Sequence, residues 1–320
     1  MTIVITGSIG FDYIMTFPGY FKEHILPDQI EKLSLSFLVD SMRHERGRCA
    51  PNIAYNLALL GERPRIMGTV GEDFAAYRAW LEEQGIDTST IVEIKGEFTA
   101  SFFVSTDLAQ NQIASFYTGA MRHAHTLSFK DWDYKDIELA IISPNDPRAM
   151  VKYPRECRAL GIPFIYDPSQ QIVRLSAEEL IDGMRGAKAL VVNEYEFELT
   201  RNKTGLSERE ILSLNETLIV TRGAEGSIII GPDFALEIPA VPPRRLADPT
   251  GVGDAYRAGI IKGLVRGYRW ETTGRIASLA ATYALEEFGT QNHRYSREEF
   301  VARYEENFGP AEELKGLLAI

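Results

Sequence analysis

The chain contains little cysteine and no long hydrophobic run. Cys49 and Cys157 are the only cysteines in 320 residues, and no Cys-x-x-Cys pair is present. Two cysteines are too few for a disulfide framework and fit a reducing compartment, so we expect a cytoplasmic protein. No apolar stretch reaches about 18 residues, so no transmembrane helix is expected. No basic segment precedes the apolar N-terminus, which reads as a strand rather than a signal peptide.

Positive charge is also scarce. The chain has 34 Lys and Arg against 45 Asp and Glu, which gives a net charge of −11 at pH 7. An acidic surface of this kind argues against a general binder of nucleic acid or of anionic membranes. It does not exclude a phosphorylated ligand, because a few backbone N–H groups can hold an anion on an acidic protein.

The common phosphate-binding motifs are missing as well. The sequence contains no Gly-x-x-x-x-Gly-Lys-Ser/Thr loop, and the glycines at 251, 253 and 259 do not fit Gly-x-Gly-x-x-Gly. It also lacks the protein-kinase signature set and a Gly-x-Ser-x-Gly elbow. These absences argue against a P-loop enzyme, a protein kinase and a hydrolase with a serine elbow.

Short apolar runs alternate with helical patterns along the chain. Runs typical of strands occur at 2–7, 64–71, 139–143, 163–167, 189–193, 217–221 and 227–231. Residues 50–61 and 74–85 have helical periodicity, and each segment ends at a glycine. Alternation of this kind predicts parallel strands joined by crossover helices, and continuous apolar strands indicate a sheet covered on both faces. We therefore predict an α/β fold with a Rossmann-like layered core and a mostly parallel sheet.

Two regions depart from this alternation. Residues 31–39 and parts of 97–118 alternate polar and apolar side chains, and the segment DLAQNQ (107–112) is typical of a hairpin connection. We predict a small antiparallel sheet inserted in two pieces, about 12–45 and 97–120, into a single domain of residues 1–320. It could be a lid over a site or a solvent-exposed hairpin. An exposed apolar face could also pair with a second subunit, which makes a homodimer an open alternative.

The segment DPTGVGDAYRAG (248–259) is the most informative stretch. Pro249 and the glycines delay the helix until Val252, so the first N–H groups of that helix are free to hold an anion. A permanent phosphate site would not contain a carboxylate. Asp254 makes sense there as a base that takes a proton from a hydroxyl, which then attacks a phosphoryl group. The alternative is that Asp254 only favours the start of the helix electrostatically.

Four segments together resemble the signatures of the ribokinase-like (PfkB) family of carbohydrate and nucleoside kinases. They are GRCAPNIAYNLALLG (47–61), NEYEFE (193–198), VTRGAEGS (220–227) and DPTGVGD (248–254), in the family's order. The stretches GSIGFDYIMTFPGYFKEHILPD, SLSFLVD, QIASFYTGAM and DPSQQIVRL are most similar to bacterial (actinobacterial-type) adenosine kinases. The resemblance implies a ribokinase-like core with a small β lid. It also implies transfer of the γ-phosphoryl group of Mg-ATP to the 5′-hydroxyl of adenosine. Another nucleoside, a sugar or a sugar phosphate is the alternative acceptor, and a binding protein without activity is a third reading.

The same resemblance implies roles for individual residues. Asp254 is the expected base, with an anion hole formed by the backbone of Gly251, Val252 and Gly253. The expected substrate-binding residues are Ser8, Asp12, Ser36, Gly47, Arg48, Asn52, Phe102, Phe116, Gln170 and Gln171. The expected ATP-site residues are Asn193, Glu196, Thr221, Gly223 and Gly226, of which Asn193 and Glu196 would also bind Mg²⁺ through water. A monovalent cation as an activator stays open.

Several of these residues also have purely structural readings. Ser8 and Asn52 could be cap or turn residues, Phe102 and Phe116 could be hairpin packing, and Asn193 and Glu196 could simply begin a helix.

One position departs from the family pattern. The first signature usually carries two glycines, whereas this chain has Gly47-Arg48. The Arg48 side chain either points away from the substrate or enters its pocket. If it enters, a sugar phosphate becomes an attractive acceptor, because arginine pairs well with phosphate.

Overall fold

The structure is a computed structural model that describes residues 2–25, 31–32, 34–310 and 312–318. The strands are β1 (Thr2–Thr6), β2 (Gly10–Thr16), β3 (Ser41–Gly47), β4 (Pro64–Val70), β5 (Ile91–Glu93), β6 (Ala100–Thr106), β7 (Gln112–Tyr117), β8 (Ile137–Ile142), β9 (Phe164–Tyr166), β10 (Ala189–Asn193), β11 (Leu218–Thr221), β12 (Ser227–Gly231) and β13 (Phe234–Ile238). The helices are α1 (Cys49–Leu59), α2 (Ala75–Glu83), α3 (Pro147–Leu160), α4 (Ala177–Met184), α5 (Glu194–Thr204), α6 (Glu208–Leu214), α7 (Val252–Arg266), α8 (Trp270–Leu285), α9 (Arg297–Phe308) and α10 (Lys315–Leu318).

The predicted layered α/β core is confirmed. Within the described residues, nine strands form the large sheet in the order β13-β12-β11-β10-β9-β8-β1-β4-β5. The strands from β11 to β5 in this order pair in parallel, whereas β12 and β13 are antiparallel additions at one edge. From β1 the chain moves to β4 on one side, and from β8 it moves to β9 on the other. The boundary between β1 and β8 is therefore the point where the strand order reverses.

Both faces of the large sheet are covered, which explains the continuous apolar strands. Side chains of a strand alternate between faces, so Ile3 and Ile5 of β1 pack in one buried cluster and Val4 packs in another. The first cluster includes residues of α1 and α7, and the second includes residues of α3. No helix among the described residues has both the length and the apolar character to cross a membrane.

The predicted small sheet is also present, but it is mixed rather than antiparallel: β2 pairs with β3 and β6 with β7 in antiparallel fashion, whereas β2 and β6 pair in parallel. The four strands that form it in the described residues have the order β3-β2-β6-β7. The hairpin predicted at 107–112 joins β6 to β7, and Gln110 in its turn has a φ of 64°. Strand β2 starts three residues beyond Gly7, and β3 ends directly before α1. The small sheet therefore rises from the same edge of the core where β1 ends and α1 begins.

The strand predicted over 31–39 is wrong for the residues that can be compared. Residues 34–39 form no strand, and pairing with β2 begins only at Ser41. The reason is aromatic packing: the Phe37 ring lies 5.0 Å from the Phe17 ring and 4.9 Å from the Phe21 ring, so the segment folds back as a loop. Residues 26–30 and 33, which belong to the first predicted lid segment, lie outside the described residues.

Candidate active site

Polar residues collect at the carboxyl ends of the parallel strands. Ser8 follows β1, Asp167 follows β9, Asn193 ends β10 and Thr221 ends β11. The last two are register neighbours on adjacent strands. The backbone N–H of Ser8 donates to the carbonyl of Pro144, just beyond β8, at 2.8 Å. Ser8 and Pro144 therefore lie where the strand order reverses, which is the usual ligand position in open α/β sheets, and the other residues line the same edge of the sheet toward β11.

The amino end of α7 points its first N–H groups at this edge. Gly251 is the N-cap residue and has a φ of 80°, a conformation that a residue with a Cβ adopts only with strain. A Cβ there would also lie 3.0 Å from the Thr290 side chain. Thr250 is fixed by a hydrogen bond that its N–H donates to Asp248 Oδ1 at 2.9 Å. The Val252 N–H donates to the Pro249 carbonyl at 3.4 Å, whereas the next N–H groups of the first turn have no partners within the helix, which suits an anion.

Asp254 lies in this first turn and is half-buried. Its Oδ2 accepts a hydrogen bond from Asn52 Nδ2 at 2.8 Å, so the second signature contacts the first across 202 residues of sequence. Burial raises the pKa of Asp254 above its ordinary value, while Arg257, Asn52 and Arg48 act in the opposite direction. A raised pKa makes this carboxylate a stronger base than an exposed aspartate.

Gln291 orients Asn52, a role that no sequence motif indicates. The buried Gln291 donates from Nε2 to Asn52 Oδ1 at 2.8 Å and contacts the Tyr77 hydroxyl at 2.7 Å. With its oxygen occupied, Asn52 must turn its Nδ2 toward Asp254. The buried Gln291 amide therefore determines that Asn52 presents its Nδ2, a donor, to Asp254.

Arg257 is the second residue that sequence reasoning missed. It lies one turn after Asp254 and forms a two-point ion pair with Asp167, Nη2 to Oδ1 at 2.7 Å and Nε to Oδ2 at 2.5 Å. Burial raises the pKa of Asp167 and the Arg257 guanidinium opposes this rise. A Cβ on Gly253 would lie 2.6 Å from Arg257 Nη1, so the guanidinium packs directly against the glycine loop. A fixed positive charge therefore lies beside the N–H groups of α7.

A cavity of about 310 Å³ lies next to this edge, between the core and the small sheet. It is lined by Ser8, Arg48, Phe102, Phe116, Met121, Pro144, Gln170, Gln171, Val173 and Arg174. Six of these residues were predicted from the sequence to bind substrate. The volume is at the lower end of the range for small-molecule sites, about 300–1,000 Å³.

The register of the small sheet places three of the predicted substrate-binding residues side by side on neighbouring strands. Asp12 of β2 is directly opposite Phe102 of β6, and Phe102 is opposite Phe116 of β7. Residues opposite each other share a face, so a carboxylate and two rings face the same side of the sheet. Burial raises the pKa of Asp12, and the neighbouring Arg48 counteracts this.

Arg48 enters the pocket rather than pointing away from it. Its Nη2 donates to Asp12 Oδ1 at 2.5 Å, and its guanidinium carbon lies 5.2 Å from the Phe102 ring centre and 4.9 Å from that of Phe116. Gly47, the glycine kept from the family pattern, touches the same carboxylate: a Cβ there would lie 3.0 Å from Asp12 Oδ2. The open question about Arg48 is thus answered in favour of the pocket.

The two glutamines of the segment DPSQQ differ in exposure. Gln171 is buried, and its Nε2 donates to the carbonyl of Asn145 at 2.8 Å. Its Oε1 is buried and has no hydrogen-bond partner among the described residues. Gln170 is exposed and its Oε1 accepts from Ser169. Ser36 is exposed in the loop before β3.

Asn193 and Glu196 form a reciprocal cap at the start of α5. Asn193 Oδ1 accepts from the Glu196 N–H at 2.8 Å, and Glu196 Oε2 accepts from the Asn193 N–H at 2.9 Å. Glu196 Oε1 also accepts from Ser169 Oγ at 3.0 Å. Beginning a helix is thus a role that both residues perform. The Glu196 charge also raises the pKa values of Asp167 and Arg257, so this carboxylate lies within reach of the amino end of α7.

The turn between β11 and β12 carries the remaining predicted residues. Thr221 ends β11, and Gly223 and Gly226 have φ values of 56° and 88°. A Cβ on Gly226 would lie 2.0 Å from the carbonyl oxygen of Ile238, so no larger residue fits. The next residue, Ser227, shares a 2.7 Å hydrogen bond with the Tyr256 hydroxyl on α7. This contact holds the turn beside the same helix that carries Asp254.

Comparison with known families identifies this arrangement. Residues 13–296 match the model of the pfkB family carbohydrate kinases. The chain belongs to this family. It is accordingly a phosphotransferase with an alcohol as acceptor, and the resemblance seen in its four signatures is confirmed.

Individual relatives cover nearly the whole length of this kinase. A nucleoside kinase of Methanothermobacter thermautotrophicus is 31% identical over 315 residues, which is 96% of each chain. The solved structure of Burkholderia thailandensis nucleoside kinase in complex with inosine is 39% identical and has a TM-score of 0.87, covering 97% of this chain and 99% of that one. A second structure of that protein, in complex with ADP-inosine, is 41% identical with a TM-score of 0.84 and covers 97% of each chain.

Proposed function

We propose that this kinase transfers the γ-phosphoryl group of ATP to the 5′-hydroxyl of a purine nucleoside, with adenosine as the first candidate. One observation carries the proposal: a carboxylate with a raised pKa, Asp254, stands among the free N–H groups of α7 and is held there by Asn52. Adenosine is the acceptor implied by the sequence resemblance, and a relative 39% identical in sequence has been solved with inosine.

The proposed reaction uses groups that already lie close together. Asp254 takes the proton of the 5′-hydroxyl, the hydroxyl oxygen bonds to the γ-phosphorus, and the bond from that phosphorus to ADP breaks. The N–H groups of α7 and the nearby Arg257 would stabilise negative charge on the transferred group. Asp12 would accept hydrogen bonds from both ribose hydroxyls, and Phe102 and Phe116 would stack on the purine.

Asn193 and Glu196, at the start of α5, fit Mg²⁺ held mainly by water and phosphate. The described residues include no cluster of three or more His, Cys, Asp or Glu side chains suited to a metal. Mg²⁺ in kinases usually needs only one or two carboxylates besides substrate phosphates and water. Glu196, a half-buried carboxylate near the amino end of α7, would supply this contact, with Asn193 beside it. Bound Mg²⁺ would neutralise phosphate charge during the transfer.

The charged residues around Asp12 favour a sugar phosphate less than a nucleoside as the acceptor. Arg48 would be the natural partner of a sugar phosphate, yet the guanidinium is already paired with Asp12. Glu45 and Asp248 also lie near enough to raise the pKa of Asp12, so the acceptor side is rich in carboxylates. An additional anion would meet repulsion there.

A coupled assay of ADP release tests the proposal. The panel contains adenosine, inosine, guanosine, cytidine, ribose, fructose and fructose 6-phosphate, each with Mg-ATP. We expect the highest kcat/KM with a purine nucleoside. Turnover confined to fructose 6-phosphate would replace the proposed acceptor, and ADP release with no member of the panel would favour a binding protein.

We also propose a homodimer that works in the cytoplasm. Met42, Phe103 and Ile113 are exposed on the face of the small sheet opposite Asp12, where a second copy could cover them. Both cysteines are free, in keeping with a reducing compartment. Light scattering would give the mass in solution, and a monomer at micromolar concentration would contradict the dimer.

A further inference from the structure

Arg48 occupies the space in which an acceptor would have to bind. It pairs with Asp12, the carboxylate suited to a sugar diol, and stands over Phe102 and Phe116, the rings suited to a flat base. Each of these contacts is one that a bound nucleoside would need for itself. The cavity next to the guanidinium has Arg48 as part of its wall, and Asp12 is not part of that wall.

The conformation of Arg48 carries strain. Its φ is 79°, in a region that favours glycine, and it precedes α1 as the N-cap residue without a capping hydrogen bond from its side chain. Non-glycine residues keep such a conformation only when their surroundings enforce it, and such strain concentrates at functional sites. Here backbone hydrogen bonds hold the segment: the Asn52 N–H donates to the Arg48 carbonyl at 3.1 Å, and the Ala50 N–H donates to the Ser8 carbonyl at 3.2 Å.

One hydrogen-bond donor of the Arg48 side chain also lacks a partner. Its Nε is buried and has no hydrogen-bond partner among the described residues. Its aliphatic stem crosses the strand at Gly10, where a Cβ would lie 3.0 Å from Arg48 Cγ. A buried donor without a partner favours departure of the side chain as soon as an acceptor offers Asp12 and the two rings better contacts.

We propose that Arg48 competes with the acceptor for its own site. The side chain fills the base and ribose positions in the free protein and must swing out before a nucleoside binds. The apparent affinity for the acceptor is therefore proportional to the fraction of molecules in which Arg48 is displaced. This inference rests on the proposed nucleoside acceptor, and it explains how a chain with arginine at the second glycine of its signature can still use that pocket.

The test is direct binding of adenosine and inosine by calorimetry, without turnover. Arg48→Gly removes both the competing side chain and the backbone strain, whereas Arg48→Ala removes the side chain and keeps the strain. We expect the Kd for the nucleoside to fall about tenfold or more in both variants, as for the removal of a competing conformation. Arg48→Lys keeps the charge near Asp12 without a planar group over the rings, and its Kd should lie between those of the wild type and Arg48→Ala.

Gln110→Gly is the matched control for strain. Gln110 also has a positive φ, 64°, but lies in the exposed turn between β6 and β7. Its replacement should leave the nucleoside Kd unchanged, and thermal unfolding would check that every variant is folded. An unchanged or higher Kd in both Arg48→Gly and Arg48→Ala would overturn the proposal and make Arg48 a neutral or positive part of the binding site.

A parallel assay of ADP release separates this inference from the proposed function. Tighter binding in the variants with no phosphorylation of any nucleoside would support the role of Arg48 and reject the proposed function. Phosphorylation by the wild type with identical Kd values would reject only the role of Arg48. Phosphorylation of a sugar phosphate that requires Arg48 would reject both.

Discussion

At the scale of single residues, the properties of the proposed base depend on a buried amide pair. Gln291 fixes Asn52, and Asn52 donates to Asp254. A hydrogen bond to the charged form of a carboxylate lowers its pKa, so this pair limits the rise that burial causes. The pair keeps Asp254 ionised and ready to accept a proton over a wider range of pH.

Gln291→Met tests this arrangement. Asn52 would lose the partner that orients it, the pKa of Asp254 would rise, and the acid limb of the kcat/KM profile would move to higher pH. The measurement is kcat/KM for the best nucleoside between pH 4 and 9, which reports ionisations of the free enzyme. Gln84→Met, at the end of α2, makes the same chemical change away from Asn52 and should leave the profile in place. An acid limb that stays in place in Gln291→Met would show that the pair does not influence the base.

Sequence reasoning singled out Asp254, Asn52 and the glycines at the amino end of α7, but not the side chains that contact them. Asp254 and Asn52 belong to recognisable motifs, and their contact over 202 residues of sequence agrees with a shared site. Gln291 lies outside every motif, and a glutamine carries no pattern that predicts burial. Arg257 was visible as the residue three positions after Asp254, a helical spacing that could have placed both on one face. The buried partner Asp167 could not be assigned to it without the sheet order.

At the scale of elements, the amino end of α7 is the feature that defines the site. Its first turn combines Gly251 in a left-handed conformation, Gly253 with no side chain and Asp254. Gly253 is exposed, and its missing Cβ leaves room for the Arg257 guanidinium on one side. The helix therefore offers N–H groups, a cation and a base within one turn.

Gly253→Ala tests the need for an open first turn. The added methyl group would lie 2.6 Å from Arg257 Nη1, and it would also limit the approach of a phosphate to the N–H groups. We expect kcat to fall about 10- to 100-fold, which is at the lower end of the loss from a missing anion-hole donor. Gly316→Ala in α10 is the control, since its Cβ would meet only the Tyr268 hydroxyl at 3.4 Å. Equal kcat in the wild type and Gly253→Ala would show that the turn tolerates a side chain.

Elements of the core were easier to predict than elements of the small sheet. The core strands are continuous apolar runs, and the structure has strands β1, β4, β8, β9, β10, β11 and β12 within a few residues of the predicted ranges. Periodicity misplaced the strand at 31–39 because Phe37 packs on Phe17 and Phe21, and alternation of side chains cannot show a contact with distant rings. The charged strand β3, SMRHERG, lacks the apolar residues by which strands are recognised.

At the scale of the whole molecule, a buried histidine makes the free energy of unfolding depend on pH. Burial lowers the pKa of His293 to about 4 from its ordinary 6.5, and its Nε2 bonds to Asn56 Oδ1 at 2.9 Å. Below about pH 6.5 the His293 ring binds a proton in the unfolded chain, whereas in the folded chain it stays neutral until about pH 4. The unfolded state then binds more protons, so the free energy of unfolding decreases as pH falls through this window.

His293→Asn tests this link, because asparagine supplies an amide N–H donor in place of the ring and does not titrate. We expect the wild type to lose on the order of 2 kcal/mol of unfolding free energy between pH 7 and pH 5 through this residue. The variant should be less stable at pH 7 but should have a shallower dependence on pH. Urea unfolding at both pH values measures the difference. The same slope in both proteins would assign the pH dependence to other groups.

The central claim is that Asp254 removes the proton from the acceptor hydroxyl, and Asp254→Asn tests it most directly. The measurement compares kcat with the Kd for ADP in the wild type, in Asp254→Asn and in the control Asp233→Asn, which changes an exposed aspartate in the turn after β12. The account predicts a fall in kcat of at least about 100-fold in Asp254→Asn alone, with the Kd for ADP nearly unchanged. A retained kcat, or a loss of ADP binding as large as the loss of kcat, would contradict it.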